Sequence, residues 1–184
     1  KEMVNNKTYN NIVNTLLRLG EYHKQISTTS VGDIFDIDLS KVTKFPLLHL
    51  NPTSVVTGDS QLTYNFQIFI MDMVSEKEDW TKNNASAEFP KLYKTLSNEQ
   101  DVLNETLQIA TDFIGMLRHS EQQSLAGTND INAPIYFTQD QFTIEPFSER
   151  FDNLCCGFVF TIGVLVQNDF QTCIIPVTSE GAGY

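Results

Sequence analysis

The stretch Gln61–Val74 constrains the fold more than any other part of this sequence. Leu62, Tyr64, Phe66, Ile68 and Ile70 recur at every second position, the period that puts side chains on one face of a β-strand. Thr63, Asn65 and Gln67 occupy the other face until Phe69 and Met71 replace them, so one end of the strand is expected to be covered on both faces. A second long alternation, Cys155–Gln167, lines up Cys156, Phe158, Phe160, Ile162, Val164 and Val166. A sheet with so apolar a face has to bury it against another layer.

Two helical stripes can supply that layer. Tyr9, Ile12, Val13, Leu16, Leu19 and Tyr22 fall on one side of a helix, with Asn10, Asn14, Arg18 and Glu21 opposite. Asn5 or Asn6 can cap it, and Gly20 marks its approaching end. Farther on, Ser97 with Gln100 forms a capping-box pattern. Val102, Leu103, Thr106, Leu107, Ala110, Phe113, Ile114 and Leu117 then make a wide apolar face. Glu99 and Asp101 in its first turn and Arg118 near its end suit the helix dipole. Leu103, Leu107, Ala110, Ile114 and Leu117 are expected to pack on Phe66, Ile68, Phe158, Phe160 and Ile162.

Shorter strands are expected at Asp33–Leu39, Phe45–Leu50 (between Pro46 and Pro52), Phe142–Phe147 and Thr172–Val177, and loops at Glu76–Ala87 and Glu121–Asn132. The order predicts an α+β fold: an antiparallel or mixed β-sheet with two main α-helices packed on one face. The 184 residues suit a single domain, 1–184.

Charge narrows the function. Twelve Lys and Arg face 23 Asp and Glu, a formal net charge of −11, and no basic cluster exceeds a pair. That balance argues against a free-standing nucleic-acid binder. Cys155, Cys156 and Cys173 are an odd set without metal-ligand spacing, and the adjacent pair has poor geometry for a disulfide, so a reduced, cytosolic life is expected. Residues 1–7 lack the apolar core of a signal peptide. The longest apolar run, Phe158–Val166, is broken by Thr161 and Gly163 and is too short to span a membrane, so a soluble chain is expected.

The sequence has no Gly-x-Ser-x-Gly elbow, no Walker-type glycine loop and no His-Glu-x-x-His. His23, His49 and His119 are scattered; His49 reads as an ordinary strand residue and His119 as a partner of a helix C-terminus. Asp36 and Asp38 share one face of their expected strand, which suits a cation site, an acid–base couple, a solvated face or the rim of a subunit contact. Asp101, Glu105 and Asp112 read as a solvated helix surface. Between two apolar strands, Glu145, Glu149, Arg150 and Asp152 concentrate charge, and Arg150 can fork onto a carboxylate of its own chain or of a neighbour. Trp80, with Tyr93 and Tyr136, can stack on a sugar or anchor an interface. The resulting expectation is a non-enzyme without cofactor or metal, whose candidate subunit interface comprises Asp36, Asp38, Trp80, Glu145, Glu149, Arg150 and Asp152.

A family likeness gathers on some of the same residues. The block Phe45-Pro46-Leu47-Leu48-His49-Leu50-Asn51-Pro52, then Gly58-Asp59 and the strand ending Ile70-Met71-Asp72, resembles structural proteins of phages infecting Bacteroidetes, including crAss-like phages. The likeness continues through Leu103–Leu117 and Glu145–Asp152 to Gly157-Phe158, and covers roughly residues 45–177. The element order is similar to that of tail terminator and head–tail joining proteins. The resemblance implies a homo-oligomeric ring of six or twelve copies at the head–tail junction, joining the capsid connector to the tail. Such a ring surrounds passing DNA without binding it specifically and contacts other neck, portal-adaptor or tail proteins. It implies no catalysis, no cofactor, no membrane, and a place in the virion after synthesis in the host cytoplasm. The segments Glu76–Ala87 and Glu121–Asn132 depart from the compact family pattern. A soluble ligand- or carbohydrate-binding accessory module of the tail or baseplate is the alternative class.

Overall fold

A computed structural model describes residues 9–34, 37, 44–59, 61–75, 98–123, 137–138, 141–150 and 154–167. The expected strand Thr172–Val177, the loop Glu76–Ala87 and the candidate residues Asp36, Asp38, Trp80 and Asp152 lie outside the described residues. The elements run α1 (Tyr9–Tyr22), β1 (Thr28–Val31), β2 (Leu47–Thr57), β3 (Gln61–Met73), α2 (Glu99–Gln123), β4 (Phe137–Thr138), β5 (Ile144–Arg150) and β6 (Leu154–Gln167). They form an α+β fold around one mixed sheet of six strands.

The two long alternating segments are neighbours. β3 and β6 pair antiparallel along their whole length, from Gln61 opposite Gln167 to Met73 opposite Cys155. β2 flanks β3 antiparallel, and the short β1 lies parallel to the start of β2. On the far side of β6, β5 pairs with Leu154–Phe160 and β4 with Val164 and Leu165.

Both helices pack on the same face of this sheet. Ile12, Leu16 and Leu19 of α1 and Ile109, Ala110, Phe113 and Leu117 of α2 are buried with Phe66, Ile68, Ile70, Phe160 and Ile162 in one core. The interior line of α2 runs Val102, Thr106, Ile109, Ala110, Phe113 and Leu117, all buried. Leu103 and Ile114 are partly buried at its flank, and Leu107 is exposed. The expectation that Leu107 packs in the core is therefore corrected: the helix is rotated so that Ile109 takes the inner position. Thr106 is tolerated there because its hydroxyl donates to the carbonyl oxygen of Val102 at 2.7 Å.

The opposite face is apolar at one end only. Leu47, Phe69, Met71 and Cys155 form a second buried cluster, on which Ile34, Ile37, Phe45, Phe147 and Val159 pack. This is the end of β3 that the sequence marked for cover on both faces. Toward the other end the face turns polar, and Asn51 donates to Gln67 at 3.3 Å while Asn65 donates to Ser54 at 3.0 Å.

Several boundaries differ from the sequence reading. Of the strand expected at Asp33–Leu39, the described residues Asp33, Ile34 and Ile37 are not in a strand, and the others lie outside the described residues. The strand beside β2 is β1, whose extended run ends at Gly32, with φ of 148°, and Ile37 N–H donates to the Ile34 carbonyl at 3.3 Å. β2 does not stop at Pro52 but continues to Thr57, because a bulge between Pro52 and Ser54 absorbs the proline. The charged run Glu145–Arg150 is the edge strand β5, not a connection. Of the loop expected at Glu121–Asn132, the first three residues are helical, since α2 continues through Gln123, and the rest lies outside the described residues.

Candidate interaction surface

The β2–β3 hairpin extends past the body of the sheet. β1 covers only Leu47–Leu50 of β2, with one further bond from Gly32 N–H to the Leu50 carbonyl at 3.1 Å. Among the described residues nothing pairs with the outer side of β2 from Asn51 to Thr57. The tip closes where Gly58 N–H donates to the Gln61 carbonyl at 2.8 Å. Val55 and Val56, on opposite faces, are 50% and 54% exposed, so both sides of this edge present branched apolar groups. From Asn51 to Gly58 the edge carries no charge.

The N-terminal end of α1 closes one side of the hairpin. The Tyr9 ring lies 6.2 Å from that of Tyr64 and 6.3 Å from that of Phe66. Together with Pro52, Thr53, Ser54, Val55 and Asn65 these rings line an open concavity of ≈180 Å³. That is smaller than the ~300–1,000 Å³ of ordinary small-molecule sites, and it adjoins the open strand edge.

The other described edge is of a different kind. Glu145 and Pro146 stand in β5 opposite Val159 and Phe158, and Glu149 and Arg150 pair by backbone with Cys155 and Leu154. Charge and proline on an edge strand discourage further pairing. Of the candidate interface residues, β5 therefore brings Glu145, Glu149 and Arg150 onto one strand, at the opposite side of the sheet from the hairpin edge. Ile34 and Ile37, sequence neighbours of Asp36 and Asp38, pack on the same cluster as Phe147 of β5.

The two buried thiols are held protonated, and the half-buried Asp72 carboxyl is shifted upward. Burial pushes the Cys155 thiol up to about 11, helped by Asp72, and the Cys156 thiol up to about 12, helped by Glu99 and Asp72. Cys156 Sγ–H donates to the Glu99 carbonyl at 3.8 Å. The Asp72 carboxyl is raised by burial and by the nearby Glu105 carboxylate, against the Met73 N–H, which donates to it at 2.7 Å. Thiols kept protonated this way are poor nucleophiles and poor metal ligands. Among the described residues no three His, Cys, Asp or Glu side chains gather to hold a metal ion.

Two of the three histidines join elements of the fold. His49 is buried, with Nε2–H donating to the Gly32 carbonyl at 3.1 Å and Nδ1 beside the Ser30 hydroxyl at 2.8 Å, so it clamps β1 onto β2. The sequence reading placed it in a strand but not in this role. His23, beyond the end of α1, meets Asp112 of α2 at 3.4 Å and links the two helices. His119 is exposed on α2.

The hairpin edge is the feature that the sequence reading missed. Its signal was present in Ser54-Val55-Val56-Thr57, a β-branched run closed by Gly58-Asp59, but it lay beyond a proline taken as a strand end. No protein-family model and no curated protein matches this chain. Among the described residues no helix is long and apolar enough to cross a membrane.

Proposed function

We propose that this chain is a non-enzymatic structural subunit that assembles with copies of itself into a ring at the head–tail junction of a tailed bacteriophage. The ring joins the capsid connector to the tail and surrounds the DNA channel. The observation that carries the reading is the uncharged edge of the β2–β3 hairpin, unpaired among the described residues, with Val55 and Val56 exposed. Solvent-exposed strand edges are normally blunted by charge, and one left open is a template for another chain.

Two further points support it. The order of α1, the β2–β3 hairpin, α2 and the closing strands β5 and β6 is the order that the resemblance to head–tail joining proteins implies. A net charge of −11 also suits a conduit, since basic contacts to phosphate would have to break each time DNA moves.

Light scattering coupled to size exclusion, with negative-stain imaging of the same fractions, tests the proposal. Closed rings of uniform copy number are expected. A chain that stays monomeric across the accessible concentration range refutes the reading, as does sub-micromolar duplex-DNA affinity that persists at physiological salt.

A further inference from the structure

We infer that the open edge of β2, Thr53–Thr57, is the docking site for Thr172–Val177 of a neighbouring copy, which adds to it as an antiparallel strand. The inference rests on the ring reading and names the contact that builds the ring. The segment Thr172-Cys173-Ile174-Ile175-Pro176-Val177 is uncharged and β-branched, like the edge it would cover, and its length matches that edge. Pro176 is acceptable in an outermost strand, where one side of the backbone needs no partner. The concavity beside Tyr9, Val55 and Phe66 offers room for an apolar side chain from such a strand.

Geometry favours a neighbour over the same chain. β6 ends at Gln167, paired with Gln61 beside the hairpin turn. From there the position outside β2 lies three strand spacings away, ~14 Å in a straight line. That line runs through the turn closed by Gly58 and Gln61. A chain that clears the turn by one strand spacing on each side needs ~24 Å. The link 168–171 reaches at most ~17 Å at ~3.4 Å per residue step. A longer link frees the path only by using up the residues meant to pair. A neighbouring copy carries no such restriction. The contact joins one surface of each subunit to a different surface of the next, the heterologous arrangement that closes a ring.

The native Cys173 makes the test direct. The full chain carrying Val56→Cys is oxidised mildly and examined by non-reducing gel and intact mass, with imaging of the same sample. Cys155 and Cys156 are buried with raised thiol pKa values and do not compete. A ladder of covalent multimers is expected, and it must vanish when Cys173→Ser is added. A cross-link confined to monomer mass overturns the inference, because the edge is then covered by its own chain. Rings without any cross-link overturn the docking site but leave the ring reading intact. A Cys173-dependent ladder without rings supports the docking site and refutes the ring.

Discussion

Removing the ring of Phe160 tests the placement of the core more sharply than any other substitution. Phe160 is 2% exposed and sits in β6 between Ile68 of β3 and Ile144 of β5. Its ring meets those of Phe113 at 6.2 Å and Phe142 at 6.4 Å. A buried phenylalanine removes ~150–250 Å² from water. At ~25 cal/mol per Å² that is roughly 4–6 kcal/mol, part of which an alanine retains. Phe160→Ala is therefore expected to cost ~3–5 kcal/mol, in line with other aromatic truncations. Leu107→Ala, at a residue 38% exposed on the outer flank of α2, is expected to cost ~0.5 kcal/mol or less. In urea, with a slope of ~2 kcal/mol per M, the first variant should lose ~1.5–2.5 M of midpoint and the second at most ~0.3 M. If Phe160→Ala does not fold at all, Phe160→Leu supplies a graded loss. Equal losses for Phe160 and Leu107, or a Phe160 loss below ~1 kcal/mol, refute the orientation of α2 on the sheet.

Three further outcomes follow from the geometry. A Cβ on Gly157 would overlap the Ile70 carbonyl oxygen and stand 2.8 Å from Met71 Cα, both backbone, so Gly157→Ala should lower the melting temperature sharply while Gly115→Ala, in open space, should not. With thiols at about 11 and 12, alkylation of Cys155 and Cys156 in the native protein at pH 8, read by peptide mass mapping, should run at least ~100-fold slower than in urea. Because these folded-state values lie above the ordinary 9.0, the thiols stabilise the fold fully below pH 9, and that contribution is lost as pH rises through 11–12. The raised Asp72 carboxyl has the same sign at acid pH: it favours the fold below its ordinary 3.8 and opposes it once ionised. Asp72→Asn should therefore raise the melting temperature at pH 7, with the gain shrinking toward pH 3; an unchanged gain at both pH values contradicts that origin.

How far the sequence reaches depends on whether a property is local. The extents of β3 and β6 and the existence of both helices were legible because a period of two or of 3.6 is written in consecutive residues. The double cover at the Phe69–Met71 end was legible for the same reason, since both faces turn apolar there.

Other features depend on residues far apart in the chain. Leu107 and Ile109 both fit a wide apolar stripe, and only the angle at which α2 meets Phe113's partners on the sheet decides which one is buried. The run around Asp33–Leu39 alternates like a strand, yet the ladder beside β2 is taken by Thr28–Val31, where His49 reaches Ser30 and Gly32 across the sheet. Pro52 ends a strand by local rules, but β2 carries it past a bulge because, among the described residues, its outer side has no ladder to break. Charge in Glu145–Arg150 suits a connection by local rules, yet the run pairs with β6. The sequence by itself determined the elements and their apolar faces, because those follow from side-chain chemistry at fixed spacing. Only the tertiary structure decided which edge is left unpaired among the described residues, because an edge is defined by the neighbours that a strand lacks.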